Sequence, residues 1–155
     1  MEIEISQAEY RDLDQLADLL AELFTLENDF CPDREKQLHG LRLILDNPSM
    51  GRFFVLRDQD RVAGMANLLI TLSTAEGCRV AVLEDVIIGN EYRGKGLGRR
   101  LVEHVLAWAK TDGMTRITLL ADRDNKAAQG FYRKLGFEHS HMVALRRRLI
   151  SLSGL

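Results

Sequence analysis

Apolar positions in this chain change their period several times, and each change marks an element. Met1, Ile3 and Ile5 alternate with glutamates over residues 1–6, the two-residue period of a short edge strand. A period near 3.6 follows from about Gln7 or Asp12, with Leu13, Leu16, Ala17, Leu20 and Phe24 on one face. Residues 25–32 read as a break. Asp33 suits the N-cap of a second helix resting on Leu38, Leu41 and Leu45, which Asn47-Pro-Ser-Met-Gly ends. Residues 52–57 and 62–72 read as strands of a hairpin turning at Asp58-Gln-Asp60. After a loop at 73–79, an apolar strand at 80–88 is broken only by Glu84 and Asp85. A glycine-rich turn leads from it into a helix with Leu101, Val102, Val105, Leu106 and Ala109 on one stripe, capped near Gly113. Residues 116–121 predict another strand and 125–135 a short helix stopped at Gly136. Residues 137–140 and 142–150 predict two tail strands. The order β-α-α-β-β-β-α-β-α-β-β describes an α/β protein.

Composition narrows the function classes. At 155 residues the chain has the size of one domain, 1–155, with enough residues for a sizeable core. A formal net charge of −2 gives no global attraction to nucleic acid or to an anionic membrane, so basic residues near the glycine turn are a local feature. Cys31 and Cys78 have neither metal nor redox spacing and suit free thiols in a reducing cytoplasm. The sequence shows no signal peptide and no apolar run long enough to cross a bilayer.

The turn carries the chemistry. Gly94, Gly96 and Gly98 alternate with Lys95 and Leu97, so the backbone can turn sharply and approach a ligand without Cβ interference. Unpaired N–H groups at the start of the following helix, beside Arg93, Lys95, Arg99 and Arg100, make an anion site suited to a phosphate or pyrophosphate. The spacing lacks the last glycine of Gly-x-Gly-x-x-Gly, and no Gly-Lys-Ser/Thr follows. It does match Arg/Gln-x-x-Gly-x-Gly/Ala, as Arg93-Gly94-Lys95-Gly96-Leu97-Gly98. Following a strand with Glu-Asp and preceding an amphipathic helix, this resembles the acyl-CoA motif of GNAT-family N-acetyltransferases. The segment Asn125-Lys-Ala-Ala-Gln-Gly-Phe-Tyr-Arg-Lys-Leu-Gly-Phe137 resembles the family's second signature, and together the two cover roughly the second half of the chain.

The element order is the one expected of the GNAT fold, so the resemblance implies an α/β (α+β) protein with one mixed, mostly antiparallel sheet flanked by helices, acetyl-CoA as co-substrate and no metal. It implies that Val86, Ile87 and Ile88 lead into the turn along a strand splayed near a β-bulge, with backbone groups of Val86 and Ile88 binding the pantetheine arm as an added strand would. It implies that Arg93, Gly94, Lys95, Gly96, Leu97, Gly98 and Arg99 hold the pyrophosphate. Asn125 would cap its helix and contact the cofactor, and Tyr132 would lie near the CoA sulfur as general acid. From the residues alone, Asn125 is equally a plain cap and Tyr132 a packing aromatic like Phe131.

Strand alternation predicts that Glu84 and Asp85 face opposite ways, one toward a cleft and one toward helix packing or a basic partner. A carboxylate in apolar surroundings resists ionisation, which suits a general base, and a structural ion pair is the plainer alternative. The resemblance implies that Glu84 is the base. The resemblance also implies an amine acceptor, borne by a small molecule or a peptide. Family practice puts its selection at 26–37 and 138–145, where Glu27, Asp29, Asp33 and Glu35 suit a cationic acceptor or simply a solvated acidic loop. The family often forms dimers, so a homodimer is an expected arrangement. Three alternatives stay open: the same fold using another acyl-CoA, a non-catalytic acyl-CoA-binding or sensing module, and a phosphate-binding domain of another kind.

Overall fold

A computed structural model describes residues 2–27 and 30–150. Two compact units divide the chain, Met1–Asp124 and Asn125–Leu155. The first holds a five-stranded sheet in the order β1 (Ile3–Gln7), β2 (Gly51–Asp58), β3 (Arg61–Ser73), β4 (Cys78–Ile88), β5 (Ile117–Leu119). The first three pairings are antiparallel and β4–β5 is parallel, so the sheet is mixed and mostly antiparallel as the resemblance implies.

Helix α1 (Leu13–Leu26) follows a 3-10 turn at Tyr10–Asp12, and α2 (Arg34–Asp46) begins where Asp33 accepts a hydrogen bond from the Lys36 N–H. Both lie on one face of the sheet. Leu16, Ala17, Leu19, Leu20 and Leu23 of α1 and Leu41 of α2 pack on Phe53, Val55, Val62, Met65 and Ile87. Removing such apolar area from water, about 25 cal/mol per Å², is the main force joining the helices to the sheet. Helix α3 (Leu97–Thr111) buries Leu101, Val102, Val105 and Ala109, the stripe predicted from its period. Trp108 is half-buried, edge-on to Phe54 at 5.3 Å and beneath the Arg52 guanidinium. Met114 N–H bonds Ala109 O and Gly113 N–H bonds Lys110 O, a Schellman end at the predicted glycine.

The element order holds from β1 to α4 (Lys126–Lys134). Met1, at the start of the predicted first strand, lies outside the described residues. The two predicted tail strands do not form: residues 137–150 carry no strand. A strand needs paired peptide groups as well as β-branched residues, and residues 137–150 join no ladder of the sheet. Met142, Val143 and Leu145 stay exposed. No helix among the described residues is long and apolar enough to cross a membrane.

One buried ion pair escaped the sequence reading. Arg57 of β2 donates two hydrogen bonds, 2.9 and 2.8 Å, to the two carboxylate oxygens of Asp12, which is 1% exposed. Asp12 also accepts the Glu9 N–H at 2.8 Å, so the pair fixes the entry to α1 against the sheet.

Candidate functional site

The glycine turn is held from below. Past β4, the Gly89 N–H bonds Ala63 O at 2.8 Å, and a 3-10 turn runs over Asn90–Tyr92. Tyr92 is buried, and its hydroxyl donates to Asp58 at 2.9 Å, pinning the turn to the β2–β3 hairpin. Arg61 and Lys95 stand over its ring at 5.6 and 5.8 Å.

Above this anchor Gly94 and Gly96 both take the left-handed conformation, φ +75° and +73°. A methyl group at either would meet nothing within 4 Å, so the backbone borders open space. Helix α3 starts at Leu97, and its first bond runs from Arg100 N–H to Gly96 O at 3.2 Å. The N–H groups of Leu97, Gly98 and Arg99 therefore have no acceptor within the helix, and no acidic residue stands in its first turn. Such free N–H groups at a helix start form a cradle that can receive an anion.

The arginines around it divide by role. Arg93 donates from Nε to Ile88 O at 2.9 Å and pairs with Glu22 of α1, so it straps the turn to a helix. Arg100 donates to Ile3 O at 2.6 Å and covers the edge of β1. Lys95 and Arg99 are exposed at the turn, with Arg99 paired to Glu103 one helical turn on.

A gap in the sheet opens beside the cradle. β5 pairs with β4 only at Ala81, Val82 and Leu83. Peptide groups alternate sides along a regular strand, and Gly89 points toward β3, so Ile88 points the other way, where β5 has ended; Val86 lies two residues before it. Those are the two residues expected to offer backbone groups to a ligand. The Ile88 carbonyl accepts Arg93, which leaves its N–H on that side.

A β-bulge lies in the same stretch of β4. Met65 faces Ile87 and Asn67 faces Glu84, so Asp85 and Val86 together oppose Ala66. Asp85 carries the kink in a left-handed conformation, φ +51°. The bulge overturns the expected alternation of the two acids. Asn67 stands directly opposite Glu84, which places them on one face. Its amide Nδ2 donates to Asp85 Oδ2 at 3.1 Å, so Asp85 has turned to that face as well.

The two acids differ in setting. Glu84 is exposed, yet the protein walls off part of its carboxylate, and the negative Asp85 adds to this, so its pKa stands above the ordinary value. Burial raises that of Asp85 too, partly offset by the Asn67 hydrogen bond. Asn67 is 2% exposed, and its Oδ1 has no hydrogen-bond partner. An asparagine inside the apolar run Ala63–Ile70 was the available sequence signal for this residue.

In the second unit, α4 is capped as expected, with Asn125 Oδ1 accepting the Ala128 N–H at 3.0 Å. The Tyr132 ring packs edge-on between Phe131 at 5.0 Å and Phe137 at 5.6 Å.

Comparison with known proteins places this arrangement in context. A model of the acetyltransferase (GNAT) family matches residues 13–137. The protein named uncharacterized N-acetyltransferase YobR of Bacillus subtilis (strain 168) is 30% identical over 119 residues, which cover 74% of this chain and 44% of that protein. Two further relatives are covered over 32% and 46% of their length, so the chain spans less than half of several proteins it matches. The aminoglycoside N(6')-acetyltransferase type 1 of Acinetobacter genomosp. 13 is matched nearly end to end: 26% identity over 136 residues, 85% of this chain and 93% of that one. A crystal structure described as a possible acetyltransferase from Clostridium difficile 630 superposes with a TM-score of 0.88. It is 20% identical and covers 97% of this chain and 100% of that chain, a likeness of fold.

Proposed function

Because the chain belongs to the acetyltransferase (GNAT) family, we propose that it moves an acetyl group from acetyl-CoA to a primary amine by direct attack. The observation that carries this reading is the juxtaposition of the anion cradle at Gly94–Arg99 with the stretch of β4 at Val86–Ile88, which pairs with β3 but lies beyond the end of β5. A pyrophosphate with a peptide-like arm needs both, one for charge and one for the arm's amides. The open space at Gly94 and Gly96 suits the close approach of phosphate oxygens.

Bound acetyl-CoA would supply an activated thioester, whose carbon gains a bond to the amine nitrogen as the C–S bond breaks. The chain's own residues do the rest. Leu97, Gly98 and Arg99 N–H groups, with Lys95 and Arg99 side chains, hold the phosphates. Val86 presents a backbone N–H toward the carbonyl oxygen, where negative charge develops. Glu84, its proton affinity raised, takes the proton from the amine, directly or through water. Tyr132 gives a proton to the departing sulfur, and Asn125 braces the cofactor while capping α4. The transfer as written uses no metal, and the two free thiols suit a cytoplasmic location.

The acceptor is a cationic amine on a small molecule or peptide. Glu27, Asp33 and Glu35 between and at the start of the first two helices supply the attraction; Asp29, also expected there, lies outside the described residues. The name of the Acinetobacter relative specifies an aminoglycoside, so such amines belong in the first panel. Free-thiol release from acetyl-CoA should be followed across aminoglycosides, other amines, amino acids and peptides, with CoA binding measured by calorimetry. Turnover with one acceptor class is the expected result. Absence of CoA binding would overturn the reading of the turn.

A further inference from the structure

We propose that Asp85 is a positioning residue for Glu84: the left-handed bulge turns both carboxylates onto one face of β4, and Asn67 fixes Asp85 there. In a regular strand neighbouring side chains diverge, and two adjacent acids would not act on each other at close quarters. Here the extra residue in β4 removes that separation. The conformation is unfavourable for most side chains, though aspartate tolerates it, and the Asn67 amide supplies a local compensation. Asn67 is itself buried in the sheet, so the pair is held from the β3 side as well.

Partial burial raises the proton affinity of Glu84, and a negative charge on Asp85 raises it further, because two like charges on one face resist ionising together. Most charges on the surrounding elements have partners of their own, and His104 and Lys110 of α3 are exposed. On α1, Asp14 and Asp18 pair with Arg34, and Glu22 pairs with Arg93. Arg61 of β3 pairs with Glu91; on α3, Arg99 pairs with Glu103 and Arg100 bonds Ile3 O. The three residues of β5 are uncharged. Asp85 is thus the charge that acts on Glu84.

The purpose of this device rests on the acetyltransferase reading, but its test does not. Carboxyl carbons of Glu84 and Asp85 are titrated by carbon-detected NMR in the free protein, with neither acetyl-CoA nor acceptor present. In the wild-type chain Asp85 should ionise at lower pH than Glu84; the reverse order overturns the proposal, since the charge would then be absent when needed. Two variants remove the charge while suiting the bulge: Asp85→Asn keeps the side-chain size, and Asp85→Gly accepts the positive φ freely. In whichever of these is folded, the Glu84 midpoint should move to lower pH. A midpoint that stays in place would leave Asp85 a merely structural residue. Where turnover is measurable, the acid limb of kcat/KM should move the same way while the acetyl-CoA affinity holds.

Discussion

Adding one methyl group at Gly96 separates backbone conformation from ligand contact. The residue sits at φ +73°, and an added Cβ would touch nothing within 4 Å of the protein, so Gly96→Ala incurs the left-handed cost alone. That cost is about 1–2 kcal/mol. For a chain of this size it lowers Tm by about 2–8 °C and leaves the fold intact. Gly113→Ala is the matched control. It has φ +87°, equally open surroundings, and stands at the far end of the same helix, about 22 Å from the cradle. Both variants should show a similar loss of Tm. On the proposed reading, only Gly96→Ala places a methyl where phosphate oxygens approach. If one charge-assisted hydrogen bond is lost, worth about 1.5–3 kcal/mol, acetyl-CoA should bind about 10- to 150-fold more weakly by calorimetry. Gly96→Val, with two further methyls in the same space, should abolish binding. Equal affinities in Gly96→Ala and Gly113→Ala, with equal losses of Tm, would refute the anion-cradle assignment.

Other outcomes follow from the same geometry. Tyr132→Phe should lower kcat far more than it raises KM for acetyl-CoA; an unaltered rate would remove Tyr132 from the reaction. Arg57→Ala should cost about 3–5 kcal/mol by denaturant unfolding, because it strands the buried Asp12 carboxylate. Burial alone would raise the Asp12 pKa, but the hydrogen bonds from Arg57 and the Glu9 N–H outweigh it and hold it below the ordinary range. A group depressed on folding stabilises above its unfolded pKa, about 3.9 for aspartate, and loses that contribution as pH falls below it. Stability of the wild-type chain should therefore fall on acidification through that window, and that component should be missing from Asp12→Asn.

Much of this fold is written in local patterns. Asp33 before an apolar-periodic run, Gly113 after one, and the glycine turn after an aliphatic strand each specify backbone geometry within a few residues, and each stands where predicted. The gap beside β4 and the bulge within it depend on pairing between strands distant in sequence. Residues 116–121 look equally strand-like along their length, yet only Ile117–Leu119 pair. Asp85 reads as one more alternating position until a two-against-one register with Ala66 turns it. Arg93 belongs to the glycine motif by spacing, but its guanidinium is drawn to Glu22, 71 residues away. Asp12 and Arg57 look like ordinary surface residues because neither carries a local sign of the other. The tail shows the same dependence: its β-branched and apolar residues favour strand locally, yet residues 137–150 have no partner ladder and stay irregular.

On the proposed function, the early end of β5 also ties the protein's endurance to its supply of ligand. Beyond Leu83 the middle of the sheet carries backbone donors and acceptors with no neighbouring strand on the β5 side, a place where the folded state forgoes bonds that a complete ladder would make. A molecule that occupies this gap and the cradle beside it binds the folded chain and has no counterpart in the unfolded one. At a hundredfold excess over Kd it adds about 2.7 kcal/mol to stability. The empty chain and the loaded chain then differ in susceptibility to unfolding and proteolysis, so the amount of this protein that survives in a cell would follow the concentration of its acyl donor.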